Sequence, residues 1–320
     1  MFVKYRAYLF WCQILLSNNL TKKLEKLKGV TMETLFNLQE KEPPKKIKKE
    51  KTVNVNLEEF VGDFIIMFSG GKDSTAVLLF VLNHIRKYNK KNRIRILFFD
   101  TKWEHEYTYQ YLTYIEKKLG LKIERIETEG MKNLCVRKKR IPRGLVSRFC
   151  TKELKIIPFK KWLFENYIQK GKKAGKDFII VQGIRAEESD RRAERYDIFN
   201  VKNFEIEKHR FKVIYWNAIF TWTKEQVFNY IKQNGLKLNP LYTELGMERV
   251  GCFPCVSART VEIKAVAADD KYRKRVFELE EAVNKVRNGK KMRFFVEKEK
   301  QRLIDEAEKT KSLFAFAYTT

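Results

Sequence analysis

The chain has 320 residues, of which 44% are hydrophobic, and it carries a formal net charge of +27. That apolar content supplies a folded core, while five cysteines at irregular spacing argue against a secreted disulfide scaffold. No apolar run is long enough to span a bilayer, so we expect a cytoplasmic protein without a membrane partner. The charge favours a polyanionic partner such as nucleotide or nucleic acid, although a solvated lysine-rich surface would give the same total.

The first 56 residues differ in character from the rest. Residues 1–40 place apolar side chains near helical spacing, which predicts an N-terminal helical segment with Cys12 in its core. Residues 41–56 contain two prolines and a run of lysines, as is typical of a basic linker. We predict a nucleotide-binding domain over residues 57–222. Residues 223–320 are predicted to form a C-terminal motif region and a helical extension.

Short apolar runs alternate with helical patterns from residue 63 onward. Strands are predicted at 63–68, 93–99, 121–127 and 177–182, and helices at 73–88, 105–119 and 158–169. This order indicates a three-layer α/β/α domain with a doubly wound, mainly parallel sheet. Ligands bind beyond the carboxyl ends of such strands. Later in the chain, residues 223–226 resemble a capping box that begins a helix reaching Asn234.

The first predicted strand leads directly into a loop of glycines, hydroxyls and one lysine. The loop is Ser69-Gly70-Gly71-Lys72-Asp73-Ser74-Thr75, and a predicted helix follows it. Glycines allow a sharp turn, and the free N–H groups and dipole of a helix N-terminus favour an anion. The glycine spacing differs from that of a Walker A loop. The sequence therefore predicts a phosphate site, with a plain glycine turn as the alternative.

Four further motifs follow this loop in order. They are Phe99-Asp100-Thr101, RFCTKELKIIP at 148–158, GIRAEES at 183–189 with Arg191, and residues 239–252 from NPLY to RVGC. Together with SGGKDS at 69–74, they resemble the motifs of the phosphoadenosine phosphosulfate (PAPS) reductase family and the PP-loop of ATP pyrophosphatases. The resemblance spans about residues 57–265. It implies an adenine nucleotide alpha-hydrolase-like fold.

The resemblance also implies a set of site residues. ATP would be bound by Ser69, Gly70, Gly71, Lys72, Asp73, Ser74, Thr75, Asp100, Thr101, Gly183, Arg185 and Arg191. Catalysis would involve Lys72, Asp73, Asp100, Arg185 and Arg249. Asp73 and Asp100 are the candidates for positioning Mg²⁺, and Glu187 and Glu188 would position either magnesium or an arginine.

Two features separate the chain from the reductases that it resembles. Those enzymes have a degraded PP-loop and a nucleophilic cysteine near the C-terminus, whereas here the loop is intact and no cysteine follows Cys255. The pattern is closer to the sulfur-transfer ATPase of DNA phosphorothioation and its phage and archaeal relatives. It predicts an enzyme that adenylylates a nucleic acid acceptor and transfers sulfur from a donor such as a cysteine desulfurase. The alternatives are a sulfite-forming PAPS reductase and a non-catalytic, basic nucleic-acid-binding protein.

Three cysteines are candidates for metal or redox chemistry. Cys252 and Cys255 form a C-x-x-C pair, and the resemblance brings Cys150 to the same strand ends. Cys135 is a possible fourth member. Three or four thiolates can hold a [4Fe–4S] cluster or a zinc ion, and a redox dithiol or unbonded thiols are the remaining alternatives.

The basic segment at residues 137–144 is a candidate contact for a phosphate backbone. It contains Arg137, Lys138, Lys139, Arg140 and Arg143 and directly precedes the Cys150 motif. A solvated loop is the alternative interpretation, because charge alone is a weak signal. The three histidines, His84, His105 and His209, show no metal-ligand spacing and are interpreted as structural or surface residues.

Overall fold

A six-stranded sheet organises the part of the chain that the structure describes. The computed structural model describes residues 53, 55–88, 91–144, 147–206 and 209–317. The strands are β1 (Asp63–Met67), β2 (Arg93–Asp100), β3 (Ile123–Glu127), β4 (Phe178–Val181), β5 (Phe199–Ile206) and β6 (His209–Trp216). Their order is β3-β2-β1-β4-β6-β5, and every neighbouring pair is parallel except β5 with β6. The predicted mainly parallel sheet is confirmed.

Helices connect and cover these strands. They are α1 (Lys72–Lys87), α2 (Glu106–Leu119), α3 (Met131–Arg137), α4 (Ile157–Asn166), α5 (Asp190–Arg195), α6 (Lys224–Gln233), α7 (Pro240–Thr243), α8 (Thr260–Ala268), α9 (Asp270–Val286) and α10 (Lys298–Ala317). The short helix Phe149–Thr151 and the π-helical stretch Lys152–Ile156 precede α4 without a break. The predicted capping box is present, because Thr223 and Gln226 exchange hydrogen bonds at the start of α6.

Apolar side chains on both faces of the sheet explain its three-layer form. In β1, Phe64 and Ile66 pack beneath α1 and α2, whereas Ile65 packs on the opposite face with Leu163 of α4. These β1 side chains are fully buried, as expected for a central parallel strand. Each contributes about 1.5–3 kcal/mol through the hydrophobic effect. The predicted α/β/α architecture is confirmed.

The hairpin β5–β6 was not predicted. Its two strands pair antiparallel from Phe199 opposite Trp216 to Ile206 opposite His209. β6 pairs in parallel with β4, and β5 forms the outer edge, so the hairpin extends the sheet beyond β4.

A second apolar core lies among the C-terminal helices. Tyr272 and Leu279 of α9 and Ile263 of α8 belong to it, together with Trp103 from the segment after β2 and Leu134 of α3. All five side chains are buried. The C-terminal extension is therefore anchored beside the carboxyl end of β2, where ligands bind in sheets of this kind.

Several predictions concern residues that the structure leaves out. The helical segment 1–40 with Cys12 lies outside the described residues, as does most of the linker 41–56. The division at residue 222 stays a prediction. Within the described part of the chain, no helix combines the length and apolarity needed to cross a bilayer.

Candidate active site

The phosphate loop joins β1 to α1 at the carboxyl edge of the sheet. Gly70 has a φ of +73°, a left-handed conformation that favours glycine, and Gly71 is the extended N-cap residue of α1. Gly71 has no side chain to cap this helix, so the first-turn N–H groups that follow Lys72 can meet an anion. The hydroxyls of Ser74 and Thr75 donate to the Gly71 carbonyl at 2.9 and 3.0 Å. They brace the loop instead of pointing outward.

A chain of buried charges lies beside this loop. Asp73 accepts from Lys72 Nζ at 2.9 Å and from Arg185 Nε at 2.7 Å. Burial alone would lower the pKa of Arg185, but hydrogen bonding to Asp73 and its negative charge outweigh burial and raise the pKa. A Cβ on Gly183 would lie 2.9 Å from the backbone of Asp73, so glycine is required for this close approach. The structure therefore brings together four predicted site residues.

The segment at α7 clamps the loop from the C-terminal half of the chain. Asn239 Nδ2 donates to the Gly70 carbonyl at 3.1 Å, and the Tyr242 hydroxyl accepts from the Lys72 backbone N–H at 3.0 Å. Burial raises the pKa of Tyr242 and keeps this hydroxyl protonated. Asn239 and Tyr242 lie within the motif at residues 239–252, but the sequence alone predicts no role for them. Their contacts with the phosphate loop join residues about 170 positions apart.

A buried carboxylate, Glu104, lies in the segment that follows β2 and was not predicted. Its Oε1 accepts from Thr101 Oγ1 at 2.7 Å, and its Oε2 accepts from Tyr109 Oη at 3.3 Å. Burial raises the pKa of Glu104. The neighbouring Asp100 Oδ1 accepts from the Lys102 N–H at 2.8 Å and from Tyr109 Oη at 2.7 Å.

Cys150, Cys252 and Cys255 line one pocket of about 200 Å³, which we call the thiol pocket. Thr101 and Lys155 also line it, so it adjoins the end of β2. The other polar and apolar walls include Arg148, Arg249, Met131, Leu154, Leu241 and Met247. The three cysteines were predicted to meet at the carboxyl ends of the strands, and the structure places all three on this one pocket.

Local backbone structure brings these thiols together. Cys252 forms a bridge with Glu104, and the Phe253 N–H donates to the Trp103 carbonyl at 2.6 Å, which ties the C-x-x-C turn to β2. The π-helical stretch places Cys150 and Lys155, five residues apart, on the same pocket.

Burial favours the protonated form of two thiols in the pocket, Cys150 and Cys252. Burial raises the pKa of Cys252 to about 11, against the opposing charge of Lys155. Burial also raises the pKa of Cys150, and the exposed Arg148 opposes the shift. The pKa of Lys155 is raised, chiefly through its interaction with Cys252 and despite its burial. Lys155 is thus the cation best placed to stabilise a thiolate here.

The side chains of the thiol pocket match the metals that the sequence implied in donor type but not in arrangement. Three thiols beside cations and apolar walls have the chemistry of an iron–sulfur or zinc site. Across the described ranges, however, no three Cys, His, Asp or Glu side chains are arranged to hold a metal ion. Cys135 is fully buried in the second core and does not line the thiol pocket. For Mg²⁺, Asp73 is already engaged by two cations.

The remaining predicted arginines have different surroundings. Arg249 lines the thiol pocket and pairs with the buried Glu262 at 2.9 Å. Arg191 is exposed on α5. Glu187 pairs with Arg185, and Glu188 pairs with Arg192, so both carboxylates hold arginines in this structure.

The basic segment 137–144 is largely engaged within the protein. Arg137 pairs with Glu129 at 2.5 Å, and Lys138 pairs with Glu153 at 2.9 Å. Arg140 lies 4.9 Å from the centre of the Phe149 ring. These contacts reduce the charge that the segment can offer to a phosphate backbone.

Comparisons with known proteins place this site in context. The family described as "Phosphoadenosine phosphosulfate reductase domain" matches residues 63–258. An uncharacterized 37.8 kDa protein of Escherichia phage 186 is 30% identical, over 64% of this chain and 70% of its own length. An uncharacterized protein of Methanocaldococcus jannaschii is 29% identical over 63% of this chain, which spans only 38% of that relative. The PAPS reductase of Candida auris aligns with a TM-score of 0.43 at 15% identity, over 62% of this chain and 85% of that one.

Proposed function

The chain belongs to the phosphoadenosine phosphosulfate reductase domain family, and we propose that it is an ATP pyrophosphatase that adenylylates a nucleic acid acceptor for sulfur transfer. The observation that carries this proposal is the intact phosphate loop. Its helix N-terminus without an N-cap side chain, the glycine at φ +73° and the buried Lys72 suit the pyrophosphate leaving group of ATP. The thiol pocket close by supports sulfur chemistry at the same edge of the sheet.

The first step transfers the adenylyl group. An acceptor oxygen attacks the α-phosphorus of ATP and forms a new P–O bond, while the bond between the α-phosphorus and the bridging oxygen breaks. Pyrophosphate leaves with that electron pair. The first-turn N–H groups of α1 and the Lys72 ammonium would stabilise the charge that develops on it. Asp73, held by Lys72 and Arg185, would act as a positioning residue for these cations.

The second step replaces the activated oxygen with sulfur. A persulfide, supplied to one pocket cysteine by a donor such as a cysteine desulfurase, attacks the activated acceptor carbon, and AMP leaves. A second pocket thiol then breaks the resulting S–S bond, which releases the thiolated acceptor and leaves a protein disulfide. An external dithiol reductant restores the two thiols. Lys155 would stabilise the attacking anion, because it faces Cys252 and Cys255.

A metal group would use the same side chains. A [4Fe–4S] cluster would require Cys150, Cys252 and Cys255 to move from their present arrangement and would take the place of the persulfide and the resolving thiol; it would supply an iron site able to bind sulfur. Mg²⁺ would accompany ATP and would offset phosphate charge, with Asp100 as its candidate protein contact. Neither group changes the roles of the phosphate loop.

The proposal is tested by product analysis. Protein incubated with ATP, Mg²⁺ and nucleic acid should release pyrophosphate and AMP, and a Gly71→Val variant should release neither. Formation of ADP and phosphate instead would contradict adenylyl transfer. Sulfite formed from PAPS with a thiol reductant would identify the reductase alternative. Nucleic acid binding without any turnover of ATP would favour the non-catalytic alternative.

A further inference from the structure

A groove beside α6 adjoins both parts of the site. Its volume is about 550 Å³, within the range of about 300–1,000 Å³ found for small-molecule sites. Met247 lines this groove and also the thiol pocket, so the two cavities share a wall. Tyr242 lines the groove as well and accepts the hydrogen bond from the Lys72 N–H. A molecule in the groove would therefore reach both the phosphate loop and the thiols.

The lining of this groove combines cations with an apolar floor. Lys224 and Lys232 are exposed, and neither forms an ion pair with any residue that the structure describes. The acidic lining residue Glu248 is neutralised by pairing with Arg259. The apolar lining consists of Phe228, Leu236, Leu238 and Met247. The groove thus offers two free positive charges above an apolar surface.

Phe228 and Tyr242 are the aromatic side chains among the residues that line this groove, and Phe228 is the one without a hydrogen bond to the phosphate loop. It is half-buried, and its ring meets that of Tyr242 edge-on, with centroids 5.9 Å apart and an interplanar angle of 89°. Base stacking on an aromatic ring beside lysines is the usual way in which proteins bind unpaired nucleotides. A duplex would present only its backbone here, and it would leave the apolar floor uncovered.

We infer that the groove between α6 and the 240–248 segment binds an unpaired stretch of nucleic acid and guides one nucleotide to the reaction centre. Lys224 and Lys232 contact its phosphates, and Phe228 stacks on a base. The inference rests on the proposed function and specifies its acceptor as single-stranded.

The test compares a Lys224→Ala/Lys232→Ala variant with a matched control, Lys117→Ala/Lys118→Ala. The control lysines are exposed at the end of α2 and line neither the thiol pocket nor the groove. Binding of a fluorescent 12-nucleotide single strand is measured across a salt series. Each single-strand phosphate contact contributes a salt slope of about 0.7, which is about fivefold in affinity at 0.1 M salt. For the groove variant, the affinity for the single strand should fall about 25-fold, and the salt slope should decrease by about 1.4. The control variant should show neither change.

A Phe228→Leu variant tests stacking separately. It should bind the single strand at least about fivefold more weakly, since each base stack contributes about 1–3 kcal/mol. Its affinity for a duplex of the same sequence should not change. Equal losses for duplex and single strand, tight binding of polyglutamate, or unchanged binding by the double lysine variant would each overturn the inference.

These binding assays need no ATP, so they separate the two proposals. If wild-type protein binds the single strand through the groove but never releases pyrophosphate, the groove is supported and the proposed enzymatic function fails. If nucleic acid stimulates pyrophosphate release equally in wild type and the double lysine variant, the function is supported and the groove is excluded as the acceptor site.

Discussion

Arg185 Nε donates to Asp73 Oδ1 at 2.7 Å and so joins two residues 112 positions apart. The guanidinium is 3% exposed, and its Nη1 also donates to the Trp222 carbonyl at 3.3 Å. The contact fixes the start of α1 against the segment after β4. Because α1 carries the phosphate loop, this ion pair links the anion site to the family motif that contains Arg185.

Breaking this pair should destabilise the protein. Arg185→Gln should lower the free energy of unfolding by about 3 kcal/mol, because a largely buried carboxylate loses one of its cations. Adding Asp73→Asn should recover part of the loss. Urea unfolding of both single variants and of the double variant measures the coupling energy. Purely additive effects would show that the contact is not energetically coupled.

The two loop glycines should fail in different ways when they are replaced. Gly70→Ala forces a side chain into the left-handed region and should cost about 1–2 kcal/mol of stability. Gly71 has φ −89° and ψ 164°, which any residue adopts, but a Cβ would lie 3.3 Å from both Ser69 Oγ and Tyr242 Oη. Gly71→Val should therefore stay folded and lose ATP binding, as measured by calorimetry and circular dichroism. A folded Gly71→Val protein with wild-type ATP affinity would refute the predicted phosphate site.

The thiol pocket should determine the metal content. Anaerobically purified protein should contain iron and acid-labile sulfide, and Cys150→Ser, Cys252→Ser and Cys255→Ser should each lower both. Cys135→Ala is the matched control, because that thiol is fully buried outside the pocket. Equal loss in the Cys135 variant, or wild-type protein free of iron, would count against the cluster. Zinc in place of iron would support the zinc alternative.

Stability should fall in mild acid because of His105. The imidazole is buried, its Nδ1 accepts from the Tyr107 N–H at 3.1 Å, and it stacks on Tyr272. Burial lowers the pKa of His105, so the folded state favours the neutral ring. The contribution to stability is fully present above the unfolded pKa of about 6.5 and is lost as the pH falls through the folded pKa.

A variant can isolate this effect. His105→Asn keeps a good N-cap residue for α2 and removes the titrating ring. Unfolding measured between pH 7.5 and pH 5 should show a shallower decline for the variant. Identical pH dependence in both proteins would assign the acid sensitivity to other groups.

The basic segment 137–144 should matter less for nucleic acid binding than its sequence suggests. Arg137 and Lys138 are paired with Glu129 and Glu153, so their charge is partly cancelled. Arg137→Ala/Lys138→Ala should change single-strand affinity by less than about twofold, measured beside the groove variants. A loss of single-strand affinity as large as that of the groove variants would show that the segment is a nucleic-acid-binding surface.

The sequence predicted the centre of the fold for simple reasons. Strands β1 to β4 are short apolar runs between helical patterns, and they lie within two residues of their predicted bounds. The hairpin β5–β6 was not predicted, because the apolar residues of β5 do not alternate regularly. They change from odd-numbered to even-numbered positions between Val201 and Phe204. Such a break weakens the period of two by which a half-buried strand is recognised.

The site was predictable where its residues belong to local sequence motifs. The phosphate loop is a local arrangement of strand, glycines and helix, so order alone predicted it. Glu104 was not predicted, because its contact with Cys252 joins residues 148 positions apart and because it belongs to none of the sequence motifs. The ion pair of Arg137 was not predicted for another reason. A count of charged residues gives the net charge of a segment, but it does not identify the partner of each charged side chain.

The π-helical stretch at Lys152–Ile156 makes the spacing of residues as important as their identity. An ordinary helix turns by about 100° per residue, so it aligns residues three or four apart. Here Cys150 and Lys155 share a pocket at a separation of five. Deleting a single residue between them would reduce the separation to four, which an ordinary helix aligns, so the π-helical turn would be lost while both side chains stayed on one face. Relatives that keep this π-helical turn should therefore carry the cysteine and the lysine with four intervening residues, and relatives with an ordinary helix should carry them with three.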